Sequence, residues 1–471
     1  MNFVSSEYAL LLVCTVLAAA FARGRAVTYV VLAASLVFYG WWNPPFLTLL
    51  FAVIVLSWLG ALVVARWRSR LVLGLVIVGE LSLLLYFKYA VFFVSNVRAV
   101  GAALGYSVAL AAPSILLPAG ISFMTFQGVA YVVDVYRGEL APVRSFVEVA
   151  VFKSFFPQLV AGPIERGAHL LPQLERLGTG TVARAPLSRA AFMIMRGVVL
   201  KFVVADNMSV IADAVYANVG ASNPFDTLLG VYAFSIQIYG DFYGYTLIAL
   251  GSALLFGVDL VNNFRHPYLA TNIQEFWRRW HVTLSLWFRD YLYIPLGGSR
   301  VALPRHMLNL LVVMFAVGLW HGASWTFVVW GAVHGALLAG YALYKRATRD
   351  LPAVAPRTLA TAVSWFVTFN LVTLAWIPFR ARDLGTPFVV LQKLGQWSLH
   401  ASAFSSTVYG LRFYVAIAAM FALLEMIDAS IDLDRAFEQM PSAGQAGVLL
   451  SLCLATYLGP AKDVAFLYFQ F

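Results

Sequence analysis

The sequence predicts an all-α, polytopic integral membrane protein. Three observations carry that expectation: the composition, the length of the apolar runs, and the positions of the basic residues. Apolar residues make up 61% of the 471 and charged residues only 11%. A soluble domain has roughly 45–50% apolar and about 25% charged residues. A soluble chain of this length would divide into several domains with polar surfaces and linkers. Here the low charge density persists nearly end to end, so the apolar surface must face lipid.

A spanning helix needs about 20 mostly apolar residues. Candidate spans run roughly over 7–22, 26–42, 45–65, 71–95, 115–133, 146–163, 190–205, 226–257, 307–321, 324–344, 359–379, 411–428 and 446–461. Several are too short to cross unaided, and 226–257 is long enough to be two pieces. The expectation is about eleven full crossings plus one or two broken or re-entrant segments. Residues 1–471 form one membrane-embedded domain, with N-terminal helices in 1–110, a core over about 115–345 and C-terminal helices over about 359–471.

The net charge of +10 sits in short connections between apolar runs. That is the positive-inside pattern and argues against a nucleic-acid partner. Arg23 and Arg25 follow the first run, and Arg66, Arg68 and Arg70 follow the third. With both clusters cytoplasmic, the N-terminus is periplasmic or extracellular, and the link 164–189 with Arg166, Arg176, Arg184 and Arg189 is cytoplasmic. Met1 to Glu7 contain no Lys or Arg, so the first run reads as a retained helix rather than a cleaved signal. Cys14 and Cys453 lie in apolar runs at opposite ends of the chain and read as small buried apolar side chains. A thiol in hydrocarbon is a poor nucleophile, which disfavours a cysteine acyl-enzyme.

Residues 262–306 break the pattern. Arg265, Arg278, Arg279, Arg289, Arg300 and Arg305 are interleaved there with Phe276, Trp277, Trp280, Trp287, Phe288, Tyr291 and Tyr293. Trp280, Leu284, Trp287 and Tyr291 share one helical face, which predicts an amphipathic helix in or near the interface. A cytoplasmic loop with aromatic anchors would show the same residues.

Ionisable groups at membrane depth are costly and therefore candidates for function. His321 follows the run Met307 to Trp320 and precedes the small residues Gly322-Ala323-Ser324. Such a break is tolerated in hydrocarbon only where protein or a water-filled cavity surrounds it. A structural histidine bonded across the bundle is the competing reading. His281, one residue beyond Trp280, reads alone as a packing or snorkelling residue. His334, on the next apolar run, reads as an interhelical hydrogen-bonding group.

The sequence has no Gly-x-Ser-x-Gly elbow, no phosphate loop and no dinucleotide fingerprint. Nor does it contain a His-Glu-x-x-His or Cys-x-x-Cys pair with metal-ligand spacing. A histidine in an apolar setting beside an arginine-rich segment suits base-catalysed acyl transfer from an anionic donor. A transporter relaying protons through histidines is the competing reading of these features. Paired halves with matching broken helices, common in transporters, are not visible.

Gly318-Leu319-Trp320-His321-Gly322 resembles the active-site motif of the membrane-bound O-acyltransferase family. Glu275-Phe276-Trp277-Arg278-Arg279-Trp280-His281, continuing through Leu286 to Tyr293, resembles its second signature. Ser122 to Gln127, Asp134 to Gly138, Phe155-Phe156-Pro157, Ala161 to Ile164, Asn263-Phe264-Arg265 with Pro267-Tyr268, and Tyr468 to Phe471 are similar to further blocks of its bacterial, alginate-type branch. One segment departs: that branch reads Asp-Phe-Ser-Gly-Tyr-Ser-Asp, whereas this chain has Asp241-Phe242-Tyr243-Gly244-Tyr245-Thr246-Leu247.

The resemblance implies a helical fold enclosing a central tunnel, in a bacterial inner membrane. It implies His321 as catalytic base with His281 as its companion. It also implies substrate contacts from Trp277, Arg278, Arg279, Trp280, Arg289, Trp320, Asp241 and Tyr245. For the arginines, a purely topological role competes. No bound cofactor or metal is implied. The donor would be acetyl-coenzyme A or another acyl thioester in the cytosol. The partners would be the bilayer, a polysaccharide acceptor and a periplasmic serine-dependent O-acetyltransferase. Exopolysaccharide O-acetylation is the first expectation, and peptidoglycan or teichoic-acid acylation the alternative.

Overall fold

The computed structural model describes residues 1–160, 162–179, 187–349, 356–396, 402–406, 410–460 and 466–467. Ala161, Arg184 and residues 468–471, which belong to motifs and clusters named above, lie outside the described residues. Every regular element among the described residues is helical. Among the described residues six helices are long and apolar enough to cross a membrane: 46–67, 70–103, 303–321, 325–347, 358–380 and 410–431. Three shorter apolar helices cover 6–21, 25–40 and 442–458.

The chain divides into two compact units, 1–190 with 248–261, and 191–247 with 262–471. In the first unit the helix Ile121–Arg137 is buried from Ile121 through Val135. It packs against Phe46–Trp67, Arg70–Leu84, Phe146–Ser154 and Gly167–Thr179. Polar groups turn inward, as they must when the outside is lipid. Ser57 Oγ donates to Glu80 Oε1 at 2.5 Å, and the buried Lys153 ammonium donates to the Met124 carbonyl. Large apolar side chains such as Leu71, Leu75 and Val78 point outward. The turn at Gly24 lies against Gly178, so Arg23 and Arg25 sit at the same end of this unit as the Gly167–Thr179 helix.

Three expectations are corrected. Cys14 and Cys453 are exposed rather than buried, because the outer face of a membrane helix is apolar and accepts a thiol. The run 226–257 is one helix, Pro224–Leu254, of 31 residues and not two pieces. At about 1.5 Å per residue it is roughly 46 Å long. Within the second unit it is buried without interruption from Gln237 to Leu247, so it runs through protein rather than lipid. The aromatic stretch is not one amphipathic helix: it forms Ile273–Arg279 and Val282–Phe288, broken at Trp280-His281.

Candidate active site

The second unit brings His281 and His321 to the same indole. His321 ends the helix Leu303–His321, and the next helix, Trp325–Ala347, begins after Gly322-Ala323-Ser324. Ser324 caps that helix, its hydroxyl accepting the Thr326 N–H at 3.3 Å. The two helices form a tight hairpin because Gly318 and Gly331 face each other. A Cβ on Gly318 would meet the Phe327 carbonyl and one on Gly331 the Met314 carbonyl, so the backbones touch directly. Small residues permit such close approach where no hydrophobic effect drives helix association. The hairpin thereby fixes His321, 4% exposed, among Trp320, Trp330 and Phe379 at ring-centroid distances of 4.9, 4.9 and 5.1 Å.

His281 is held by a break rather than by a helix. Its backbone is left-handed, φ 43 and ψ 56. A non-glycine residue there stores roughly 1–3 kcal/mol of strain, which persists only where the surroundings enforce it. The enforcement comes from Asn263-Phe264-Arg265. The Val282 N–H donates to the Asn263 carbonyl at 2.9 Å, the Arg265 N–H to the Arg279 carbonyl at 3.0 Å, and Thr283 Oγ1 to Asn263 Oδ1 at 2.7 Å. The imidazole meets Phe242 edge-on at 4.7 Å and Trp320 at 5.7 Å. His281 is fully buried and outside the candidate spans, and desolvation pushes its pKa down to about 3. It is therefore neutral at physiological pH, one ring nitrogen carrying the N–H and the other a lone pair.

His334 is buried against Trp277, Trp330, Phe276 and Trp376, ring centroids 4.8–6.2 Å away. The interhelical hydrogen bond expected for it is not formed with the described residues; aromatic packing holds the ring instead. Trp277 and Trp280 belong to this shell, Trp277 at 5.9 Å from Trp330 and Trp280 at 5.0 Å from Trp376.

The arginines separate. Arg278 is exposed, Arg279 pairs with Glu275 at 2.5 Å, and the exposed Arg289 pairs with Asp290 at 2.6 Å. Asp241 has both carboxylate oxygens engaged inside the unit, one by Lys201 at 2.8 Å and one by the Leu467 N–H at 2.7 Å. Tyr245 stacks on Phe466 at 3.9 Å. At the departing positions, Tyr243 stacks on Tyr239 at 5.5 Å and Leu247 is fully buried.

Sequence reasoning missed Lys201, Trp330 and Phe379. Lys201 had a signal, a single cation inside the apolar run Gly197 to Ala205. Trp330 and Phe379 had none, since an aromatic in an apolar run is ordinary until its neighbours are known.

A model of the membrane-bound O-acyltransferase family matches residues 137–379. The probable alginate O-acetylase AlgI of Azotobacter vinelandii is 39% identical over 383 residues, 78% of this chain and 73% of that protein. A peptidoglycan O-acetyltransferase of Helicobacter pylori is 36% identical over 389 residues, 76% of this chain and 72% of that protein. A teichoic acid D-alanyltransferase of Bacillus subtilis is 25% identical over 278 residues, 57% of this chain and 69% of that protein. The matched region contains both histidines and the rings around them, from Phe242 to Phe379, and the chain belongs to the membrane-bound O-acyltransferase family.

Proposed function

We propose that this O-acyltransferase transfers an acetyl group from a cytosolic thioester toward an exported polysaccharide, with His321 as the general base. The observation that carries the reading is the placing of two histidines against the same indole, Trp320, one at a helix terminus and one at a strained break. The imidazole of His321 would take the proton of an acceptor hydroxyl as its oxygen attacks the thioester carbonyl. The tetrahedral centre would then collapse, the C–S bond breaking and the thiolate leaving. A thiol titrates near about 8.5, so that departure needs little assistance. His281, neutral through burial, would donate to the developing oxyanion or orient the donor.

The donor is read as acetyl-coenzyme A or another acyl thioester, with the exposed Arg278 a contact for its phosphates. The wider reading is about eleven crossings around a tunnel in a bacterial inner membrane. Delivery would be completed by a periplasmic partner with its own serine nucleophile. The identities of 39% to an alginate O-acetylase and 36% to a peptidoglycan O-acetyltransferase support a glycan acceptor of either kind.

The test is His321→Ala beside His334→Ala, a truncation of the same size on the neighbouring helix. General-base assistance is worth about 10²–10⁴-fold in rate. Acetyl released by mild alkali from purified polymer should vanish for His321→Ala and persist for His334→Ala, both variants being inserted and extractable. Wild-type acetylation from a well-expressed His321→Ala strain would remove the base assignment.

A further inference from the structure

Lys201 is 1% exposed in the second unit, and its ammonium bridges Asp206 at 2.7 Å and Asp241 at 2.8 Å. It lies on a widened, π-helical turn, Leu200–Ala205, against which the helix Pro224–Leu254 is seated. Gly240 and Gly244 make that seating possible. A Cβ on Gly244 would stand 2.7 Å from the Gly197 carbonyl oxygen and 3.1 Å from the Lys201 nitrogen, and one on Gly240 3.4 Å from the Leu200 oxygen. A buried ion pair is weak evidence of stability, because desolvation offsets most of the attraction. Three such groups in apolar surroundings therefore call for another reason to exist.

Helix geometry supplies one. Successive helical residues are about 100° apart, so fixing Asp241 in rotation fixes Phe242 as well. Phe242 is the ring that meets His281 edge-on at 4.7 Å and 81°. The second oxygen of Asp241 holds the Leu467 N–H at 2.7 Å, which fastens the same helix from another side. Asn207, beside Asp206, donates to the Leu458 carbonyl at 2.9 Å and ties the helix Asp206–Ala217 to the C-terminal segment.

We propose that Lys201 is a positioning residue for acyl transfer: its pairing with Asp241 fixes the rotation of the helix that presses Phe242 against His281. The proposal rests on the assignment of His281 and His321 to the site.

The experiment compares full-length variants in inverted membrane vesicles supplied with acetyl-coenzyme A, alongside polymer acetyl content in cells and melting in detergent. Lys201→Met alone strands two buried carboxylates and should melt well below wild type. Lys201→Met/Asp206→Asn/Asp241→Asn removes the charges together and should regain most of that loss, yet keep kcat at least tenfold down with donor KM within threefold. Phe242→Leu leaves the ion centre intact and should lose kcat by a similar factor. Combined with His281→Ala, Phe242→Leu should add nothing further, since it acts through that ring. A well-folded triple variant with wild-type kcat would overturn the proposal, leaving Lys201 as a counter-charge only. Should the triple variant fail to fold, Phe242→Leu decides: wild-type kcat, or full additivity with His281→Ala, overturns it. Wild-type rates from His281→Ala and His321→Ala would instead remove the site assignment itself, whatever Lys201 does.

Discussion

The imidazole of His281 stands edge-on to the indole of Trp320, ring centroids 5.7 Å apart at 70°, although His281 sits at a break between two short helices and Trp320 on the helix Leu303–His321. Trp320 also meets its neighbour His321 at 4.9 Å, so one side chain spaces both histidines.

Trp320→Ala should therefore disturb both rings at once. A misplacement of about 1 Å can cost roughly 10²-fold in rate, and a loss of that order in polymer acetylation is expected. Trp320→Phe, which retains a flat ring, should recover much of it. Equal activity in the two variants would mean that the indole is only filling space.

His281 makes a prediction in pH. Its folded pKa is pushed down to about 3 by burial, while an unfolded histidine titrates near about 6.5. Between these values the unfolded chain binds a proton that the folded chain does not. Stability is thus full above about pH 6.5 and falls as the pH drops toward 3, by up to about 1.4 kcal/mol per pH unit for this group. His281→Asn, which suits the left-handed backbone, should flatten that acid-side fall in melting temperature. An unchanged slope would show that the ring already protonates near its ordinary pKa.

The glycine contact in the hairpin is equally exposed to test. Gly331→Leu places a side chain against the Met314 carbonyl and Gly318, so the helices must part. Overpacking of this kind costs typically 1–3 kcal/mol. Melting should fall, and acetylation should fall with it because His321 rides on the displaced helix. Gly340→Leu, on the same helix with open space at its Cβ, is the comparison and should melt like wild type.

The arginines divide by their partners. Arg279 and Arg289 already pair with Glu275 and Asp290, whereas Arg278 is exposed. Arg278→Gln should raise the apparent KM for a coenzyme A thioester severalfold, and Arg289→Gln should leave it nearly unchanged. Identical donor dependence in both would reduce Arg278 to a topological determinant.

Composition and run length by themselves determined that the chain is helical and membrane-embedded, because the lipid face and the interior must both be apolar wherever a helix crosses. The order of the motifs also determined the family. His321 stood out in the sequence as a candidate because a small-residue break at an imidazole is costly in hydrocarbon, and local sequence displays that cost. His281 was legible only through its motif. Read as helical periodicity, its segment became one amphipathic helix, whereas the structure breaks it at a left-handed His281. Only tertiary structure decided that, because the enforcing bonds come from Asn263 and Arg265, outside the helical run Trp280 to Tyr291. The same holds for Lys201: its charge and the nearby Asp206 are visible in the sequence, but Asp241 sits on the helix Pro224–Leu254, and only folding brings that carboxylate within 3 Å of the ammonium. Periodicity reports which face of a helix is apolar; it carries no information about which distant backbone or charge will meet that face.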